Sequence, residues 1–218
     1  VCIEKEIGDL ILASSSEVYQ QPNIIPTPEN VPLIIPDIHN PRYSYGGGKI
    51  LCELMAVTYG KKYLDRVTIF RPHNVYGPDM GWEHVVPQFI IKAKNLSQNN
   101  DNNKIFEIKG NGEQTRAFIF IDDFTNGLLK VIEKGKHLEI YHIGKNEEVK
   151  IIELAKSISA YYSLDCDFHS SESFSGETIR RCPEISKLES LGFNPKIDLK
   201  TGLEKTINWY DNNLHLMV

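Results

Sequence analysis

Two short and almost unbroken apolar runs, Leu10-Ile-Leu-Ala13 and Val67-Thr-Ile-Phe70, constrain this chain more than any other feature. A strand that is apolar on both faces must be covered on both, as parallel strands inside an α/β sheet are. Each run exits into a polar cluster: Ser14-Ser-Ser-Glu-Val-Tyr19 after the first, Arg71-Pro-His-Asn-Val-Tyr-Gly-Pro78 after the second. Ligands of open α/β sheets bind at the carboxyl ends of their strands, so these clusters are the first places to look for chemistry. Between the runs, residues 20–42 are rich in proline and read as an irregular surface connection. A helix is predicted from about Tyr45 to Lys62, with Leu51, Leu54, Met55 and Thr58 on its core side. Strand, loop, helix, strand, loop is the alternation of βαβ units.

The remainder continues in the same style. Val85 to Leu96 reads as an amphipathic helix and Gln98 to Asn103 as a polar loop. Ile105 to Ile108 and Ala117 to Ile121 read as strands joined through the turn Gly110-Asn-Gly112. A helix from Asp122 to Ile132 carries acidic residues at its start. Ile140 to Ile143 is a further strand, Val149 opens a helix through about Tyr161, and two helical patterns follow Ser186, separated by Gly192 to Pro195. Val1 to Gly8 resembles the tail of a helix leading directly into a strand. An α/β domain seldom starts there, so an N-terminal portion is expected to precede Val1.

Composition excludes several classes. A formal net charge of −5 offers no global basic field for nucleic acid. Four scattered cysteines without a Cys-x-x-Cys pair give neither a disulfide nor a zinc framework, and no metal site is expected. No run approaches membrane-spanning length and no signal peptide is visible, so the cytoplasm is the default location.

Within Asn40-Pro-Arg-Tyr-Ser-Tyr-Gly-Gly-Gly-Lys49, Tyr45 and Lys49 lie four residues apart. On a helix both side chains project from one face. A neighbouring ammonium favours the phenolate, and a tyrosine brought from about 10 to near 7 is a general acid–base for neutral pH. Other candidates carry plainer readings beside functional ones. Ser14 to Ser16 fits a polar strand exit. Arg71 fits a structural ion pair as well as a ligand. His73 and His142 fit packing histidines, His84 has no assignable role, and Glu17 is either solvated or a second acid–base group.

Taken together, Ser-Ser-Ser-Glu-Val-Tyr, Tyr-Gly-Gly-Gly-Lys, Arg-Pro-His-Asn-Val-Tyr-Gly-Pro and Gly-Asn-Gly-Glu-Gln-Thr-Arg resemble the extended short-chain dehydrogenase/reductase family. That family comprises NAD-dependent nucleotide-sugar epimerases and dehydratases. The resemblance implies Tyr45 as the base that deprotonates a sugar hydroxyl, Lys49 as its activator and a ligand of the nicotinamide ribose, and Ser15 as the hydroxyl aligning the reacting oxygen. Ser14 and His73 fall at the cofactor, and Asn74, Arg116 and Arg181 at the nucleotide diphosphate. A dianionic diphosphate suits arginine's fixed fork of donors. Ser16-Glu17 stands where the dehydratases carry Asp-Glu. The Ser-Glu pair, like Arg181-Cys-Pro, resembles UDP-glucuronate decarboxylases, with Glu17 then catalytic.

The expectation is thus an α/β chain. It holds a partial Rossmann-type, doubly wound parallel sheet lacking its N-terminal strands (1–80 and 117–144), with a smaller α/β lobe for the nucleotide sugar (81–116 and 145–218). The glycine turn that holds the NAD pyrophosphate is absent, so the chain as given is expected to be deficient in NAD binding. NAD is the implied cofactor, a nucleotide-diphosphate sugar the implied ligand, and a homodimer the implied full-length assembly. The rival readings are a UDP-glucuronate decarboxylase-type reaction and a catalytically silent nucleotide-sugar-binding fragment.

Overall fold

The computed structural model describes residues 1–101, 103–172 and 178–217, so Asn102 of the polar run lies outside the described residues. In chain order the elements begin with β1 (Asp9–Ala13), α1 (Ser44–Tyr63), β2 (Arg66–Pro72), β3 (Val75–Tyr76) and α2 (Val85–Gln98). Next come β4 (Ile105–Lys109), β5 (Thr115–Ala117), β6 (Ile119–Phe120), α3 (Ile121–Lys134) and β7 (Glu139–Ile143). The chain closes with β8 (Glu148–Lys150), α4 (Ile151–Tyr161), β9 (Asp167–Ser171), β10 (Arg180–Arg181), α5 (Ser186–Glu189) and α6 (Leu199–Asn213).

Both apolar runs are parallel strands of one sheet, ordered β1-β2-β7. Leu10 pairs with Val67 and Ala13 with Phe70, while Phe70 pairs on its other side with Tyr141. Parallel neighbours need a crossover, supplied by α1 between β1 and β2 and by a longer excursion ending in α3 between β2 and β7. This is the Rossmann-type α/β arrangement the alternation predicts. β2 is buried from Val67 to Arg71, whereas β1 stands at the edge and is only half-buried. Val1 to Ile7 forms turns rather than a helical tail, because Lys5 N bonds back to Val1 O but no following residue continues the ladder.

The helix predicted from Tyr45 is α1, but its core face is not the predicted one. Leu51, Leu54 and Met55 are 60%, 61% and 58% exposed, and Thr58 is exposed as well. The buried side is Gly46, Gly47, Glu53, Ala56 and Gly60. Small residues let the helix approach the sheet and the turn after β1 closely: a Cβ on Gly60 would lie 2.5 Å from Val67 Cγ2, and one on Gly46 2.8 Å from Glu17 O. Hydrophobic periodicity identified the apolar face correctly and assigned it to the wrong side.

Beyond β2 the largest apolar cluster joins α2, β4, α4 and α6 through Val86, Phe89, Ile90, Phe106, Leu154, Ile158, Leu203 and Ile207. A second cluster joins Phe70, Tyr141 and Ile143 of the main sheet and Val131 of α3 to Ile185, Leu188 and Phe193. The predicted hairpin through Gly110 and Gly112 does not form. β4 instead pairs in parallel with β9, and β5 takes β8 and β10 as neighbours. Phe118 interrupts the predicted strand from Ala117 to Ile121, so that β6 can pair with β3. Val149 belongs to β8, paired opposite Arg116, and α4 begins at Ile151. Asp123 lies in the first turn of α3 and accepts from the Lys196 and Ile197 amides, tying the entry of α6 to this helix.

Candidate active site

Local capping chemistry sets the start of α1. Asn40 accepts from Arg42 N at 3.0 Å, Pro41 opens a 3-10 turn, and Ser44 Oγ donates to Pro41 O at 2.7 Å. Tyr45 follows in the first turn, 56% exposed, with Lys49 one turn on. The Lys49 ammonium lies 5.6 Å from the centre of the Tyr45 ring and donates to Ala13 O at 2.9 Å. The predicted pair is therefore brought together on one helix face and attached to the last residue of β1.

The β1 exit places its three serines inside the protein. Ser15 Oγ accepts from Glu17 N at 3.1 Å and so caps the 3-10 turn Ser16–Tyr19. Ser14 Oγ donates to Glu53 Oε1. Arg71 is a buried ion-pair member: Nε donates to Glu53 Oε1 at 2.8 Å and a terminal nitrogen meets Glu53 Oε2 at 2.5 Å. The same guanidinium donates to the Tyr19 hydroxyl, which lies 2.6 Å from His142 Nε2. His142 Nδ1 faces Glu184 O at 3.0 Å. Burial is the main reason that the His142 pKa falls to about 3, so the ring is neutral. His142 is the packing histidine the sequence suggests, with a partner at each ring nitrogen, whereas the sequence reading gives Tyr19 and Glu53 no role. Glu53 left one signal, as the only acidic residue of α1 and four residues beyond Lys49.

His73 is 1% exposed, packs edge to face with His142 at 4.7 Å, and has a hydrogen-bond partner on neither ring nitrogen among the described residues. Burial first, then the neighbouring His142, Arg181 and Arg71, holds its pKa well below the ordinary histidine value. Asn74 has a φ of 40° and donates through Nδ2 to Ala117 O at 3.2 Å. Arg116 and Arg181 are paired residues on parallel β5 and β10. They part at their side chains. Arg116, with Asn74, lines a cavity of about 950 Å³ whose wall includes Trp82, Gln88, Lys92 and Phe118. Arg181 turns instead to Glu17, 2.5 Å away, and donates to Thr178 Oγ1 at 3.0 Å; its buried Nε has no partner among the described residues. Burial raises the Glu17 carboxyl, but the Arg181 guanidinium, aided by the charges of Arg42 and Arg116, holds it below its ordinary value.

Chemically, the arrangement offers a phenol beside an ammonium at a strand exit, a buried imidazole edge, an arginine at the wall of a cavity and a second arginine paired with a carboxylate. No helix among the described residues is long and apolar enough to cross a membrane.

Residues 1–144 match the model of the NAD dependent epimerase/dehydratase family. The human dTDP-D-glucose 4,6-dehydratase is 32% identical over 97% of this chain, which spans 59% of that protein's length. UDP-glucuronic acid decarboxylase 1 of Xenopus tropicalis is 31% identical over 97% of this chain, which covers 49% of it. Among solved structures, the dTDP-glucose 4,6-dehydratase DesIV from Streptomyces venezuelae with NAD and TYD bound superposes with a TM-score of 0.84. Its sequence is 27% identical, and the match covers 99% of this chain and 63% of that one. Nucleotide-sugar epimerases, dehydratases and decarboxylases thus all stand among the relatives. The chain belongs to the NAD dependent epimerase/dehydratase family.

Proposed function

We propose that this chain carries the catalytic and sugar-nucleotide-binding part of an NAD-dependent, epimerase-type enzyme acting on a nucleotide-diphosphate sugar. One observation carries the reading: Tyr45 and Lys49 share a helix face, with the ammonium 5.6 Å from the phenol ring and attached to the β1 exit. Tyr45 accepts the proton of a sugar hydroxyl and later returns it. Lys49 stands one turn on, its ammonium over the phenol ring, and Ser15 aligns the reacting oxygen. NAD, when bound, supplies the hydride acceptor and donor. Ser14, Ser15, Tyr45, Lys49 and His73 are the residues that would hold it. The two unpartnered nitrogens of the buried His73 fit a ligand with both a donor and an acceptor, such as a carboxamide. Asn74, Arg116 and Arg181 engage the diphosphate, and binding there positions the distant sugar. In this reading 1–80 with 117–144 serve the cofactor side, and 81–116 with 145–218 the nucleotide sugar. The assembly is a homodimer, and the outward apolar face of α1 suits it.

The Glu17–Arg181 pair favours a second reading, a UDP-glucuronate decarboxylase-type reaction. It joins the two residues whose motifs resemble those enzymes, and places a carboxylate and a guanidinium beside the Ser15 turn. Product analysis with UDP-glucose, UDP-N-acetylglucosamine and UDP-glucuronate separates the reactions.

Tyr45→Phe tests the common core. Turnover should fall by orders of magnitude while UDP affinity, measured by calorimetry, stays unchanged, the pattern of an interaction made mainly in the transition state. Retained turnover would sink the assignment and leave the catalytically silent binder.

A further inference from the structure

The buried face of α1 consists of Gly46, Gly47, Glu53, Ala56 and Gly60. Ala56 packs on Val67 and Ile69, and Val67 fills the notch at Gly60, but so small a face offers limited area for dispersion forces to resist rotation and sliding. Polar contacts supply the missing registration. Lys49 Nζ reaches Ala13 O at 2.9 Å, and one turn further Glu53 receives the hydroxyl of the next residue, Ser14. These two rungs join consecutive turns of α1 to consecutive residues of the β1 exit, directly before Ser15.

Glu53 is itself immobilised. Arg71 holds both of its carboxylate oxygens, at 2.8 and 2.5 Å, and donates in addition to Tyr19 OH and, at 3.0 Å, to Glu29 O. His142 Nδ1 can only donate to the Glu184 carbonyl, so its Nε2 accepts from the Tyr19 hydroxyl. The direction of every hydrogen bond from Glu184 through His142, Tyr19 and Arg71 to Glu53 and Ser14 is fixed. The side chains of His142, Tyr19, Arg71, Glu53 and Ser14 are all buried.

We infer that Glu53 is a positioning residue for Tyr45, Lys49 and Ser15: locked by Arg71, it sets the register of α1 against the β1 exit through the Ser14 hydroxyl. The inference rests on the reading of Tyr45 as the acid–base group, but the register itself can be followed without turnover.

The test is Ser14→Ala in the intact protein, because it cuts the tie between Glu53 and the strand exit and leaves the Arg71–Glu53 pair in place. Turnover at saturating nucleotide sugar and NAD should drop about a hundredfold, the loss typical of a misplacement near 1 Å. KM for the nucleotide sugar should stay within about twofold. Ser14→Thr, which keeps the hydroxyl, should restore turnover. Amide hydrogen exchange at Ser44 to Lys49 should accelerate in Ser14→Ala while β2 and β7 keep their protection. Unchanged exchange at Ser44 to Lys49 overturns the positioning role whatever turnover does, and so does a rise in KM at preserved kcat. Faster exchange with turnover indifferent to Tyr45→Phe upholds the register claim and overturns the acid–base reading instead.

Discussion

α1 and α4 are both helices rich in aliphatic residues, yet they are held by opposite means. α4 turns Leu154, Ala155 and Ile158 inward, each at 0% exposure, against the aromatic cluster of α2, β4 and α6. α1 turns Leu51, Leu54 and Met55 outward and presents glycine, alanine and one ion-paired glutamate to the sheet. The first is secured by apolar area, which tolerates small shifts. The second is secured by hydrogen bonds with direction, which do not. A helix that must hold a phenol and an ammonium against a strand exit has reason to be of the second kind.

The strongest way to break this comparison is Glu53→Leu. It would strand the buried Arg71 charge and should cost about 3–5 kcal/mol, read from the midpoint of urea unfolding. A loss below about 1 kcal/mol would mean that α1 is held by something other than its polar ties. Next in size is the contrast of two leucines. Leu154→Ala should cost about 2–5 kcal/mol by leaving a cavity, whereas Leu54→Ala should change stability by no more than about 0.5 kcal/mol. Equal losses would show that the outward face of α1 is covered, as in the proposed homodimer. In that case the Leu54→Ala loss should depend on protein concentration.

A pH titration sharpens the picture from the sheet side. His142 is held near 3 from an ordinary value of 6.5, and His73 is lowered too, so both stay neutral in the folded chain. The unfolded chain binds these protons first. Their contribution is complete above about 6.5 and diminishes as pH falls toward the folded value. Melting temperature should be level from pH 8 to about 6.5 and decline below it; a flat profile to pH 5 would contradict the buried neutral pair. Glu17, whose folded pKa is depressed below 4.5, adds a smaller contribution that is lost only at still lower pH.

What could be read from sequence was whatever depends on near neighbours along the chain. The strands ending at Ala13 and Phe70, the helix of Tyr45 and Lys49, and the polar strand exits all follow from local periodicity and spacing. The Glu17–Arg181 and Glu53–Arg71 pairs did not, because they join segments that only the folded sheet brings together. The same holds for β4, which had an adjacent turn signal at Gly110 and Gly112 but pairs with the distant β9. α1 failed for a different reason. Periodicity reports which face of a helix is apolar, and says nothing about whether this chain or another covers it.

A modest effect of either sign is expected in the glycine run. A Cβ added at Gly48 would meet nothing within 4 Å, so Gly48→Ala should raise stability by up to about 1 kcal/mol through helix propensity. Gly46→Ala should do the reverse, and thermal melts of the two variants, moving in opposite directions, would show it. Equal shifts would place the close approach of α1 elsewhere than at Gly46.

Gly46 and Gly48 therefore differ in what inheritance can do with them. A single-nucleotide change at Gly46 that alters the residue adds at least a Cβ, 2.7 Å from the Gln20 amide nitrogen and 2.8 Å from the Glu17 carbonyl oxygen, and the second of these atoms is backbone. Changes at Gly48 meet open space. As lineages of this chain diverge, the letter after Tyr45 should stay fixed and the letter before Lys49 should drift. The constancy at Gly46 would owe nothing to catalysis and everything to the distance between two stretches of main chain.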